Sequence, residues 1–236
     1  MQNYKRDAYN AIIFTSLEKE MQEKVNTLVK SAANAQKVDE HGTWNFEATF
    51  DSKGRGSALN WDLYGIGSDH FSGELLIIVQ VRQYIKRRKN YFPEIKKSYF
   101  LIGTNEDNTT FAHPVESSVI HSAIKREANV IEAVQSWIFG CEYKKVIRQG
   151  DLCLIPSVNP AAKLATLVEE KELTLQGSHH IKGVEIRRGK GIFVKSPELF
   201  HLPKTHPDVR GLGGVWYKVV VGRRANFYNF AAPTID

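Results

Sequence analysis

The sequence predicts an α+β fold, with an antiparallel sheet and packed helices in its N-terminal part and a mainly-β C-terminal domain. Apolar residues recur with helical spacing near the N terminus and again over 119–138. Alternating, strand-like runs fill residues 41–65 and 74–103, and short runs punctuated by Gly and Pro follow residue 147. We therefore predict domains at residues 1–145 and 146–236.

The first helix is predicted over residues 15–37, "TSLEKEMQEKVNTLVKSAANAQK". Its apolar residues recur at steps of four and three, and Thr15 with Glu18 fits a capping box. The apolar positions are Leu17, Met21, Val25, Leu28 and Ala32. The opposite face of this helix is charged and is expected to face solvent.

Two hairpins are predicted next, the first turning at the Gly-rich residues 53–57 and the second, longer one in a loop that contains Asn90 and Pro93. In the long hairpin, side chains alternate between two faces. The predicted core face carries Ile77, Val79, Val81 and Ile85, and the predicted surface carries Gln80, Arg82, Tyr84 and Lys86.

After Pro114 the spacing of apolar residues predicts two helices or one kinked helix. Asn129 with Glu132 three residues later indicates a fresh N-cap, and Gly140 is a candidate C-cap. Further along, the charged run "EEKE" at 169–172 is interpreted as a solvated helix face.

The composition favours an anionic partner without requiring one. The net charge is +6, and from Arg148 onward there are 13 Lys and Arg against 8 Asp and Glu, so the C-terminal third carries most of the excess. The longest apolar run, 75–79, is far shorter than a membrane span, and we expect no membrane partner. With only Cys141 and Cys153 and no secretory signal, a reducing, cytoplasmic setting is expected.

The long hairpin is the first candidate site, because seven cations and one acid, Glu94, lie between Arg82 and Lys97 with tyrosines among them. Cations bind phosphates and aromatic rings stack on unpaired bases. The alternative is that the cations keep an exposed hairpin tip soluble. The predicted nucleic-acid-binding residues of this hairpin are Arg82, Tyr84, Lys86, Arg87, Arg88, Lys89, Lys97 and Tyr99.

A second basic set lies near the C terminus, where glycines flank several of the cations. Glycine lets backbone N–H groups and guanidinium groups approach a phosphate closely. Ordinary surface arginines are the competing interpretation. The predicted nucleic-acid-binding residues of this set are Arg187, Arg188, Lys190, Arg223 and Arg224.

Four of the eight histidines fall within 28 residues. A histidine pair can act as general acid and base while a lysine stabilises a phosphorane, so the candidate catalytic residues are His180, His201, Lys204 and His206. Because neighbours on a strand point to opposite faces, at most one of His179 and His180 joins the others. The competing interpretation is that these histidines cap turns. No motif for a metal or a cofactor accompanies them, and we predict neither.

The last ninety residues or so carry "RQGDLCLIP", "GSHHIKG", "LFHLPKTHPDV" and "GGVWYKVVVGRRA" in succession. This series resembles a small β-domain that recurs in bacterial hypothetical proteins. The resemblance implies a domain boundary and carries no activity.

The sequence therefore favours a nucleic-acid-binding protein, with RNA favoured over DNA as the partner. The first alternative is a metal-independent nuclease or RNA-processing enzyme that uses the C-terminal histidines. The second is a protein-interaction subunit whose basic surface binds an acidic partner within a complex.

Overall fold

The computed structural model describes residues 4–35, 44, 46, 49–52, 56–69, 72–87, 94–105, 108–140, 147–157, 165–175, 178–204 and 207–227. Within these residues the chain is mostly β, with three α-helices and three antiparallel sheets, so the predicted α+β class is confirmed at this level. The chain divides into two compact units, residues 1–134 with 224–236, and residues 135–223. The predicted boundary near Lys145 lies outside the described residues.

The first unit contains a five-stranded antiparallel sheet in which the strands follow one another in chain order. The predicted strands of both hairpins are present, while residues 53–55 and 88–93 of their turns lie outside the described residues. The elements are α1 (Lys19–Ala35), β1 (Thr49–Phe50), β2 (Gly56–Ser68), β3 (Leu75–Lys86), β4 (Glu94–Thr104), β5 (Thr110–Val115), α2 (Ser117–Lys125) and α3 (Val130–Phe139), of which residues 135–139 belong to the second unit.

The start of the first helix was predicted wrongly. Residues Phe14–Ser16 form a separate 3-10 turn, Leu17 is extended, and α1 begins only at Lys19. The Ser16 and Leu17 N–H groups bond back to the Ile13 and Phe14 carbonyls, so these residues close a separate turn and do not open the helix. The helix pair after Pro114 is confirmed, and the Asn129 Oδ1 atom accepts the Glu132 N–H at 3.2 Å, as an N-cap does.

One face of the sheet forms the main core of the first unit. Val79, Val81 and Phe100 are fully buried there, and Val25 and Ala32 of α1 pack into the same cluster. Burying such side chains is worth about 1.5–3 kcal/mol each. This face is therefore closed to ligands, and only the opposite face can carry a site.

Part of the opposite face is covered by α2 and by the first residues of α3. Gly67 of β2 permits this packing, because a Cβ atom there would lie 2.9 Å from Ile131 Cγ1. Ile120 and Ala123 of α2 are also fully buried. On the same face Asp62, Arg82 and Lys86 are partly exposed and Lys97 is exposed. Gln80, which was predicted to lie at the surface, is only 4% exposed.

A β-bulge marks the border between the covered and open halves. Leu63 pairs with Val79, and Gly65 pairs with Ile78, the residue before Val79 in β3. Tyr64 therefore has no partner in β3 and is an extra residue in β2. A bulge of this kind shifts the alternation of side chains by one position. After the bulge, Gly65 and Gly67 therefore face the helices.

The second unit is built from two further antiparallel sheets. Their strand orders are β6-β7-β15-β12-β11-β8 and β14-β13-β10-β9. The strands are β6 (Ile147–Gln149), β7 (Leu152–Pro156), β8 (Thr166–Val168), β9 (Glu172–Thr174), β10 (His179–Lys182), β11 (Glu185–Arg188), β12 (Ile192–Lys195), β13 (Glu198–His201), β14 (Val209–Arg210) and β15 (Trp216–Val221).

Residues of both sheets share one core in this unit. Leu154 and Val194 come from the six-stranded sheet, and Ile181 and Leu199 from the four-stranded sheet. The helix proposed for residues 169–172 was wrong, because the chain turns there between β8 and β9. Those strands pair with β11 and β10, and sheet pairing overrides the helix propensity of this Glu- and Lys-containing run.

No helix among the described residues is long and apolar enough to cross a membrane.

Candidate nucleic-acid interface

The open half of the β2–β4 face presents side chains in cross-strand rows. Arg82 of β3 pairs with Asn60 of β2 and with Lys97 of β4. The next row holds Asp62, Gln80 and Tyr99, and the row beyond Arg82 holds Ala58, Tyr84 and Ile95. Directly opposed Cβ atoms lie about 5 Å apart. Four predicted residues, Arg82, Tyr84, Lys97 and Tyr99, are thus brought together on one face.

Arg82 lies at the centre of these rows, and an acid fixes its orientation. Its Nη2 atom donates to Asp62 Oδ2 at 2.9 Å, and its guanidinium group lies 5.7 Å from the centre of the Tyr84 ring. The Nε atom is buried and has no hydrogen-bond partner among the described residues. A buried donor left unpaired costs about 1–3 kcal/mol, so this atom favours an incoming acceptor.

Aromatic side chains form the border with the covered half. Tyr99 Oη accepts a short hydrogen bond from Gln80 and lies 3.1 Å from His121 Nε2 of α2. The Tyr64 and Tyr99 rings meet edge to face at 5.2 Å. Burial raises the pKa of Tyr99, and it raises the pKa of Tyr64 well above the ordinary value. Both hydroxyls are therefore protonated at neutral pH, and the Tyr64 hydroxyl donates to the Tyr9 carbonyl at 3.4 Å.

A recess of about 510 Å³ opens above these rows. The N-terminal loop forms one wall and is bonded to the sheet, because Arg6 donates to the Tyr64 carbonyl at 3.1 Å and the Ile12 N–H to the Leu63 carbonyl at 2.6 Å. Asp7 Oδ1 accepts the backbone N–H of Tyr9 at 2.8 Å and so fixes the shape of this loop. The Tyr9 side chain lies at the rim of the recess and is 78% exposed. His121 of α2 lines the recess from another side.

The rest of the predicted hairpin set lies toward its tip. Lys86 shares the face of Arg82 by alternation, and Arg87 is exposed, 3.8 Å from Glu94. Arg88 and Lys89 lie outside the described residues. The cations that can be placed on the open face are therefore Arg82, Lys86 and Lys97.

The C-terminal basic set does not form a comparable cluster. Arg187 donates to Glu185 at 2.6 Å and lies 5.4 Å from the Trp216 ring, so neighbours already occupy its guanidinium group. Arg188 ends β11, and Lys190 lies in the turn that leads to β12; both are exposed. Arg223 and Arg224 are also exposed, and they fall in the second and the first unit respectively.

The histidines divide between the two faces of the four-stranded sheet. His179 pairs with His201, and their rings meet edge to face at 4.7 Å, whereas His180 stacks on Phe200 on the other face. His180 and His201 are therefore not brought together. Lys204 is exposed and bonded to Asp208 at 3.3 Å, and His206 lies outside the described residues.

The histidine that joins His201 is held by a buried amide. Gln149 is 1% exposed; its Oε1 atom lies 3.1 Å from His179 Nδ1, and its Nε2 atom donates to the Pro207 carbonyl at 2.5 Å. Because an amide oxygen only accepts, His179 donates through Nδ1, and His201 likewise donates to the Pro203 carbonyl at 2.7 Å. These bonds tie both rings to fixed acceptors.

Several residues that line the recess were not predicted as binding residues. Gln80 was predicted to lie on this face, and Asp62 follows the same period-two alternation in β2, but neither was assigned a role in binding. His121 and the N-terminal loop carried no such signal, since only the tertiary fold brings them to the sheet. No group of three or more potential metal ligands occurs in the part of the chain that the structure describes.

Comparison of the chain with protein-family models, curated proteins and solved structures found no match. The resemblance of the C-terminal residues to a bacterial β-domain stays a prediction. The fold and the open sheet face are accordingly the basis for a functional proposal.

Proposed function

We propose that this protein binds single-stranded nucleic acid, with RNA preferred over DNA, on the open half of the β2–β4 face. One observation carries the proposal: Arg82, Lys97 and Tyr84 occupy adjacent rows of hydrogen-bonded strands and share a face. Cations bind phosphates, and aromatic rings stack on unpaired bases whatever their sequence. A surface that presents cations and an aromatic ring in adjacent cross-strand rows therefore fits a single strand of nucleic acid.

The spacing of the cations on the open face supports the same partner. Residues two apart on a strand are about 7 Å apart, so Arg82 and Lys86 are separated by two such steps along β3, while Lys97 lies beside Arg82 on β4. Steps of this size are comparable with the separation of successive phosphates in an extended single strand. Lys86 and Lys97 are thus positioned for phosphates, and Tyr84 lies between the rows they occupy.

The walls of the recess favour an unpaired strand over a duplex. The loop that carries Asp7 and Tyr9 and the helix that carries His121 rise on two sides of the recess floor. A single nucleotide can enter between them, whereas bases stacked inside a duplex cannot reach Arg82. The polar groups of Asn60 and Asp62 also suit a ribose 2′-hydroxyl, which both donates and accepts and which DNA lacks.

The test is fluorescence anisotropy with labelled single-stranded RNA, single-stranded DNA and duplex over a salt series. The double variant Lys86→Ala/Lys97→Ala should weaken RNA binding about tenfold and reduce the slope of log affinity against log salt by about 1.4, or 0.7 for each lost phosphate contact. The matched control is Lys19→Ala/Lys30→Ala, which removes two exposed cations from α1.

Tyr84→Ala should weaken binding by about 1–3 kcal/mol without changing the salt slope, because stacking releases no counterions. Two results would overturn the proposal. One is the absence of binding to any single strand at low salt, and the other is an equal loss in the α1 control.

A further inference from the structure

We infer that the recess selects guanine among the bases of the bound strand. The inference rests on the proposed function for the strand, but the chemistry of the recess floor carries it separately. A recess of about 510 Å³ falls within the usual range of about 300–1,000 Å³ for small-molecule pockets, so it has room for one nucleotide.

The floor presents a carboxylate beside a guanidinium group that has a buried, unpaired donor. Arg82 donates Nη2 to Asp62 Oδ2 at 2.9 Å, and its Nε atom has no partner among the described residues. A carboxylate offers about four acceptor positions, so this ion pair leaves Asp62 able to accept further hydrogen bonds. An acceptor and a donor therefore lie side by side where a base edge would rest.

Guanine matches that arrangement better than the other bases. Its Watson–Crick edge carries two adjacent N–H donors, N1–H and the N2 amino group, next to the acceptor O6. The two donors suit the Asp62 carboxylate and O6 suits Arg82 Nε–H. Adenine and cytosine each place one donor beside a ring-nitrogen acceptor that would face the carboxylate, and uracil offers a single donor between two carbonyls.

The surroundings favour a planar purine in the same position. Tyr84 lines the recess beside Arg82, and the exposed Tyr9 ring stands at its rim on a loop that Asp7 holds in shape. Gln80 commits one of its two Nε2 hydrogens to Tyr99 and is 4% exposed, so it contributes less to the floor than Asp62 and Arg82. Selection is therefore expected to depend on Asp62 and Arg82, with the tyrosines adding stacking.

The experiment compares nine-nucleotide RNAs that are all uridine except for the central base, which is uracil, guanine, adenine, cytosine or hypoxanthine. The native protein should bind the guanine oligomer about tenfold more tightly than the all-uridine oligomer. Hypoxanthine differs from guanine only by lacking the N2 amino group, and it should lose most of this preference. These measurements need no variant, so they stand even if a substitution prevents folding.

Asp62→Asn should abolish the guanine preference while affinity for the all-uridine oligomer does not fall, because an amide replaces one acceptor with a donor. The matched control is Glu74→Gln, which changes an exposed acid that precedes β3 and does not line the recess, and which should keep the preference. Thermal unfolding checks that both variants are folded.

Three outcomes separate this inference from the proposed function. Equal binding of all five oligomers overturns guanine selection and leaves single-strand binding standing. Binding of guanosine monophosphate without binding of any oligomer supports the recess chemistry, assigns it to a free nucleotide and overturns the proposed function. A lack of binding to every oligomer and to the mononucleotide overturns both.

Discussion

Cations, aromatic rings and histidine occur together both on the open β2–β4 face and on the four-stranded sheet of the second unit. The two surfaces differ in whether their polar groups have partners within the protein. On the four-stranded sheet, Glu198 bonds both Lys182 and Arg210, and Lys182 also lies 5.2 Å from the Phe200 ring. On the open face, Arg82 keeps a buried donor with no partner in the described part of the chain.

The difference separates residues that stabilise the fold from residues that are prepared for a ligand. A polar group whose partners come from the protein contributes to stability, and removing it leaves those partners unsatisfied. A polar group that is buried and unpaired costs stability until something binds. Similar residue types can therefore have opposite consequences when they are replaced.

The largest effect expected from this comparison is on stability in the second unit. Gln149→Ala should lower the free energy of unfolding by about 3 kcal/mol, because it removes a buried amide that bonds both the His179 ring and the Pro207 carbonyl. Urea titration measures the change. His180→Ala, on the outer face, should cost less than about 1 kcal/mol, and a loss of RNA affinity in folded Gln149→Ala protein would break the comparison.

A second test compares two arginines for their effect on binding. Arg82→Gln should weaken single-stranded RNA binding about tenfold, the value of one charge-assisted hydrogen bond. Arg187→Gln should change it less than about twofold, because Glu185 and Trp216 already occupy the Arg187 side chain. Anisotropy titrations at one salt concentration suffice. Equal losses would show that the unpaired Nε donor of Arg82 adds nothing to binding.

The smallest expected effect concerns pH. Hydrogen bonding to Arg210 and Lys182 holds the pKa of the Glu198 carboxyl below its usual range. Because the pKa is lower in the folded state than in the unfolded state, the stabilisation is present above the unfolded value, near pH 4.5, and is lost as pH falls through the lower folded value.

Glu198→Gln should remove that part of the acid sensitivity and leave stability at pH 7 slightly reduced. Thermal unfolding of both proteins between pH 3 and pH 7 measures this. Parallel pH profiles for the native protein and the variant would show that the ion pairs of this sheet add nothing to stability.

Local periodicity was enough to predict the face that carries the candidate site. Gln80, Arg82 and Tyr84 alternate with buried residues in β3, and that alternation survives folding because the strand is paired on both sides. The helix break at Asn129 was also readable, since an N-cap is a local hydrogen bond.

Features that depend on residues far apart in the sequence were not predictable. The His179–His201 contact depends on the register of β10 with β13. His180, which was predicted to act with His201, lies on the other face of the sheet. His121 reaches Tyr99 only because α2 packs across the sheet. In both cases the side chains have ordinary local patterns, and only tertiary pairing selects their partners.

The extra residue at Tyr64 has an evolutionary consequence. Deleting this one position would leave Gly65 opposite Ile78 and Ile66 opposite Ile77, so both halves of β2 would keep their faces and the helices could still pack on Gly67. The recess would lose the Tyr64 ring, which meets the Tyr99 and His121 rings edge to face at its border. The fold therefore tolerates a β2 that is one residue shorter, whereas the border of the recess depends on the extra residue. Relatives that bind the same way should therefore be recognised by an unpaired position in this strand before any residue is compared.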